Sequence, residues 1–158
     1  MNDAGLIRLY DATLLDVGQR AEEIGERQIA CHWPFVGSQF SGTVIVGQAL
    51  DGWDAEETTA RWPVRVASTE EGRREVIDGA RAWAAARQEP MEEVLRWGHR
   101  RGSPFWNLSM RVMRLLEPDA RPWASRHAWW NVYPVGFDRP KGSPYGPLKD
   151  AQASHVGA

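Results

Sequence analysis

Apolar residues recur at three- and four-residue spacing through Leu6, Ile7, Tyr10, Leu14, Val17, Ala21 and Ile24, which predicts an amphipathic helix over about residues 4 to 28. The stretch "HWPFVGSQFSG" then breaks the helical period. Thr43 to Val46 is short, β-branched and apolar between Gly42 and Gly47, the pattern of a central strand buried on both faces. A polar loop follows. Ser68 with Glu71 three residues on forms a capping-box pattern, and Val76, Ile77, Ala80, Trp83 and Ala84 continue it as a helix to about Arg87.

Further along, Pro90 starts a short helix, and Gly102 separates it from the next one. Ser103 and Pro104 fit the N-cap and first turn of that next helix, whose Phe105, Leu108, Val112, Leu115 and Leu116 share one face while Arg111 and Arg114 point elsewhere. Ala128 to Val132, inside "HAWWNVYP", is a second β-rich run that stops at Pro134 and leads into a loop rich in Gly and Pro. A last helix begins near Leu148. Two buried strands joined by a long helical crossover predict an α/β fold with a parallel sheet. In such sheets, loops leaving the carboxyl ends of the strands build the binding crevice, here "GQALDGWD" and "NVYPVGFDRPKGSPYGP".

Composition narrows this picture only a little. The 158 residues suit one domain spanning 1–158, and 42% hydrophobic with 25% charged residues is an ordinary globular balance. No apolar run reaches the roughly 18 residues of a membrane span. The opening "MNDAGLIRLYDATLLD" lacks a basic segment followed by an apolar core, so the expected setting is cytoplasmic, with no membrane partner. Cys31, the single cysteine, cannot close an internal disulfide or supply a thiolate metal cluster, and reads as a buried spectator. His32, His99 and His127 lack metal-ligand spacing; no metal and no cofactor are expected.

The net charge of −2 hides an asymmetry: residues 1 to 90 hold 9 basic and 15 acidic groups, residues 91 to 158 hold 10 and 6. A basic C-terminal part is what a phosphate-facing surface needs. "RWGHRRG" is either such a surface or a solvated charged face. Nine tryptophans, several beside Gly or Pro, either complete a core or line a cleft. Neither a "GxxxxGK" phosphate loop nor a "GxGxxG" turn is present, which disfavours ordinary nucleotide hydrolysis and dinucleotide binding.

A strand ending in "VGQ", a "SPFWNLSMRVMRLL" helix start, and a strand carrying "WWNVYP" followed by a Gly/Pro loop and "YGPLKDAQ" occur in an order that resembles the uracil-DNA glycosylase superfamily, over about residues 42 to 152. The likeness is greatest to uncharacterised bacterial and phage members with a "GQ...NGW"-like first motif. It implies a three-layer α/β fold around a central parallel sheet. It also implies base-excision hydrolysis of the N-glycosidic bond of a flipped base in single- or double-stranded DNA.

The carry-over is uneven. The superfamily turn after the first strand holds a carboxylate that orients a water against the glycosidic carbon. Here Ala49 stands where the best-studied branch has Asp, and Gln48 stands where another branch has Glu. Asp51 is the nearest carboxylate, either reaching that water or stabilising its turn, and Asp54 is a second candidate. Phe105 matches the ring that stacks on the base, or else staples its helix to the sheet. Asn131 matches the asparagine whose amide offers donor and acceptor to a base edge, and an amide inside "WWNVYP" needs partners if buried. Arg139 and Lys141 lie in a loop suited to DNA phosphates or simply exposed to solvent.

The superfamily continues through two further strands to a His-Pro-Ser-like loop that stabilises the departing base. That pattern is not found here; His155 lacks the following Pro-Ser and reads as a surface residue of the last helix. The expectation is therefore a fold incomplete at its C-terminus, with an open sheet edge that favours self-association. Excision activity is expected to be slight, and the alternative is a non-catalytic nucleic-acid- or nucleotide-binding module or an inactive fragment.

Overall fold

The computed structural model describes residues 3–47, 61–86, 104–116, 123–137 and 144–156. It is a mixed α/β protein. In chain order the elements are α1 (Asp3–Gln19), α2 (Ala21–Ile24), β1 (Gln28–Cys31), β2 (Phe35–Val36), β3 (Thr43–Gly47), β4 (Arg61–Pro63), a 3-10 turn (Val64–Ser68) and α3 (Glu70–Ala86). They continue with α4 (Pro104–Leu116), α5 (Trp123–Arg126), β5 (His127–Asn131), β6 (Val135–Phe137) and α6 (Pro147–Ala153). Among the described residues no helix is long and apolar enough to cross a membrane.

The strands form two three-stranded sheets, in the orders β4-β1-β6 and β2-β5-β3. β1 runs antiparallel to both neighbours, Ile29 facing Trp62 on one side and Phe137 on the other. β2 is antiparallel to β5, with Phe35 opposite Trp129. The two runs expected to be strands, 43–46 and 128–132, are thus adjacent strands of one sheet, while a three-layer arrangement on a central parallel sheet is not shown.

The chain divides into two compact units: residues 1–33, 48–83 and 131–158 form the first, 34–47 and 84–130 the second. In the first, Tyr10, Leu14 and Val17 on α1, Ile29 on β1, Val76 on α3, Val135 on β6 and Leu148 on α6 are fully enclosed. The 3-10 turn nests between α1 and α3 without room for side chains: a Cβ on Gly18 would lie 2.4 Å from the Ala67 carbonyl oxygen, and one on Gly72 2.0 Å from that of Val66. In the second unit, Gly37 N–H donates to His127 O at 2.9 Å, Gln39 N–H to Ser125 O at 2.7 Å and Ser41 N–H to Arg126 O at 2.9 Å, extending the β2–β5 pairing along the chain.

Several expectations are corrected. The expected first helix divides into α1, which stops at Gln19, and the short α2, after which Gly25, at φ 82°, turns the chain into β1, a strand the sequence reading did not anticipate. α3 is capped one residue later than the Ser68–Glu71 pattern implies: Thr69 Oγ1 accepts the Gly72 N–H at 3.1 Å, while the Ser68 hydroxyl donates to Gly18 O at 3.1 Å. β3 is not buried on both faces. It lies at the end of its sheet, and alternation leaves Val44 41% and Val46 53% exposed.

On α4 the apolar stripe is real but outward. Leu108, Val112, Leu115 and Leu116 are exposed, whereas Met113 and Ser109, about 100° round the helix from Val112 and Leu108, are the buried positions. Periodicity identifies a stripe; what covers it depends on the rest of the chain. His155 lies just beyond α6, where its Nε2 is 3.0 Å from Asp16 Oδ2 and its side chain is only about one-fifth exposed, so it joins α6 to α1 instead of standing free.

Candidate functional site

β5 arises from a run of aromatic and small residues that stops where Pro134 approaches. Alternation places His127, Trp129 and Asn131 on one face and Ala128 and Trp130 on the other. Asn131 is the last residue of the strand and only 3% exposed, yet its Oδ1 has no hydrogen-bond partner among the described residues. An unpaired buried acceptor costs about 1–3 kcal/mol. A ligand bringing an N–H to that oxygen would recover this. Trp130 Nε1, a buried donor on the opposite face, is likewise without a partner among the described residues.

The chain just after Asn131 is held from several sides. His32 N–H donates to Pro134 O at 2.9 Å, and the Tyr10 hydroxyl donates to the His32 carbonyl. Gln152 grips the next residue: its Oε1 accepts the Val135 N–H at 3.0 Å and its Nε2 donates to Val135 O at 2.9 Å and Leu148 O at 3.0 Å. A side chain thereby supplies the bonds of a missing strand along β6. Pro134 and Val135 are thus held by α1, β1 and α6 together.

His32 is the buried titratable group of this frame. Its ring meets Trp83 edge-on, centroids 5.7 Å apart at 69°, and burial pushes its pKa down to about 4. At neutral pH it is an uncharged imidazole. The unfolded chain binds a proton at His32 below pH 6.5, whereas the folded chain does so only near pH 4. Stability is therefore lost as the pH falls through that window, by about 3 kcal/mol in total, and the contribution is fully present above it. Denaturant titrations from pH 7 to 4 are expected to show this fall in the wild type, and a total fall smaller by that amount in His32→Phe. Equal falls in the two proteins would contradict it. Burial also pushes the Cys31 thiol up to about 12, so it is no nucleophile at neutral pH, in keeping with a spectator.

Of the residues the sequence nominates, Asn131 alone is described with its side chain. Phe105 lies in the first turn of α4, its ring outside what the structure describes. Gln48, Asp51, Asp54, Arg139 and Lys141 lie outside the described residues. Among the described residues, no group of three or more His, Cys, Asp or Glu is placed to hold a metal ion. Comparison with protein-family models, curated proteins and solved structures finds no match for this chain.

Sequence reasoning missed His32 and Gln152. His32 was read only against metal-ligand spacing, which is silent about burial. Gln152 sits in a short polar helix whose pattern gives no sign that one amide completes a sheet; the only cue is the β-branched Val135 after Pro134, too short a run to stand out.

Proposed function

We propose that this chain is a uracil-DNA glycosylase-like protein that receives a flipped nucleobase of DNA at Asn131. What carries the reading is the Asn131 carboxamide, enclosed at the end of β5 with its oxygen unpaired among the described residues. An asparagine there offers an acceptor and two donors to a base edge, the pairing by which amides read bases.

In this reading the fold is the three-layer parallel-sheet architecture of the superfamily, working in the cytoplasm. Gln48 and Asp51 flank the water that attacks the glycosidic carbon, Phe105 stacks on the base, and Arg139 and Lys141 take phosphates. The base leaves as the sugar gains oxocarbenium character, and the water adds to that carbon. Ala49 favours a second reading, in which the same site binds without cutting: no carboxylate stands where the best-studied branch places one. The solvent-facing Val44 and Val46 of β3 support self-association at that strand as part of the proposal.

The test is binding of a labelled single strand carrying one uracil against the same strand without it, followed by heating in alkali to reveal abasic sites. Preference for the uracil strand is expected, and Asn131→Ala is expected to erase it, a change of roughly tenfold or more. The same variant is expected to melt no lower than the wild type, because it removes an unsatisfied polar atom. Strand breaks decide for the excising enzyme, and binding without breaks for the non-catalytic module. Equal affinity of wild type and Asn131→Ala for both strands would refute the assignment.

A further inference from the structure

Arg27 immediately precedes β1 and its backbone is fixed on both sides: its N–H donates to Gly25 O at 2.8 Å and its carbonyl accepts from Val64 N–H at 2.9 Å. The guanidinium carbon stands 4.7 Å above the Phe137 ring centroid and 5.7 Å from that of Tyr145, and Nη1 donates to the Tyr145 hydroxyl at 2.7 Å. The two rings are themselves 5.3 Å apart, tilted by 55°. Sequence spacing alone conceals this cluster, because its members come from the turn before β1, the end of β6 and the approach to α6.

Two observations separate it from an ordinary surface staple. First, Arg27 has no carboxylate within ion-pairing distance among the described residues, as is true of Arg8, Arg65, Arg111 and Arg114, but unlike them its guanidinium is seated on two aromatic rings. Its positive charge is uncompensated there, and a guanidinium that spends one N–H on a hydroxyl keeps the rest of its fork for oxyanions. Second, the assembly faces water: Arg27 is exposed and Tyr145 is 47% exposed. A flat ring next to a prepositioned, unpaired guanidinium suits a ligand that alternates planar groups with anions.

We propose that Arg27, Phe137 and Tyr145 form a binding surface for single-stranded nucleic acid, with a base stacked on Tyr145 and an adjoining phosphate held by Arg27. It is a surface additional to Asn131, and it rests on the reading that the chain works on nucleic acid. Duplex bases, already stacked on each other, leave no free face for Tyr145, so unpaired strands are the preferred ligand. Stacking is indifferent to base identity, so the surface supplies affinity and positioning while Asn131 supplies selectivity.

The experiment measures anisotropy of labelled oligothymidylate, oligouridylate and a duplex of equal length, over a salt series, with the full chain. Both single strands are expected to bind more tightly than the duplex. Arg27→Ala and Tyr145→Ala are each expected to weaken single-strand binding roughly tenfold. Arg27→Ala also lowers the slope of log affinity against log salt by about one, the signature of one lost phosphate contact. Tyr145→Phe keeps the ring and stays within about twofold of wild type.

Unchanged affinity in both alanine variants, with only a lower melting temperature, makes the cluster a structural staple and overturns the proposal. Tighter binding to the duplex than to either single strand also overturns it. The two sites fail separately: single-strand binding indifferent to Arg27→Ala and Tyr145→Ala, beside a uracil preference that Asn131→Ala erases, removes this surface and leaves the base site standing. A wild-type chain that binds neither single strand removes this surface, and the uracil-bearing DNA strand then decides the base site by itself.

Discussion

Gln152→Leu is expected to lower the stability of the first unit by about 4 kcal/mol, although leucine has nearly the volume of glutamine and the side chain is enclosed. The reason lies in what the amide touches. Val135 is fully enclosed, and both its N–H and its carbonyl are bonded to the Gln152 side chain. Leucine leaves two buried backbone groups unpaired, each costing about 1–3 kcal/mol, and its added apolar contact recovers only part of that. Gln152→Glu is expected to cost at least as much: a carboxylate still accepts the Val135 N–H, but it sets a buried negative charge against the Val135 and Leu148 carbonyl oxygens, to which it cannot donate. Urea unfolding measures both, and hydrogen exchange at Val135 localises the change. A Gln152→Leu protein as stable as wild type would mean that the amide contributes shape alone.

Gly72→Ala is the other large loss, about 3 kcal/mol or more. On an open helix face, alanine in place of glycine would instead stabilise by up to about 1 kcal/mol, so the sign is decided by packing. At Gly72 the new methyl carbon would lie 2.0 Å from the Val66 carbonyl oxygen and 2.9 Å from Thr69 Oγ1, the atom that caps the helix. The obstructing oxygen is backbone of the 3-10 turn and has no rotamer to change. That turn is backed by α1, where Gly18 meets Ala67 and Ser68 just as closely, so relief at Gly72 pushes the turn toward a second obstruction. Thermal unfolding followed by circular dichroism gives the size of the effect. An alanine variant that melts with the wild type would show that the turn yields at little cost.

What could be read from the chain beforehand divides along physical lines. α3 and α4 were legible because each carries a long apolar period bounded by capping residues, and both begin within two residues of their expected starts. β3 and β5 were legible as short β-branched or aromatic runs between breakers. β1, β4 and β6 were not. Each is three or four residues long, and each is stabilised by partners far along the chain, Ile29 by Trp62 and Phe137, so no local pattern announces them. The outward face of α4 shows the converse limit: a period identifies which residues share a face and leaves open what that face meets. For the candidate site, Asn131 was legible as an amide in an apolar strand. The anchoring by His32, Tyr10 and Gln152 depends on tertiary neighbours, as does the Arg27 cluster.

The pairing of β1 with β6 has a consequence for how the protein is made. Ile29 leaves the ribosome early, but its partner Phe137 follows only after more than a hundred further residues have been added. Until then Ile29, Ala30 and Cys31 have at most one neighbour, β4, and Gln152, which bonds the backbone of Val135 on β6, has itself still to be added. Closure of the first unit is therefore a late, long-range event, slowed by the entropy of a large loop. During synthesis the nascent β1 remains an apolar strand with an open side, and that interval is when the chain most needs protection from its neighbours.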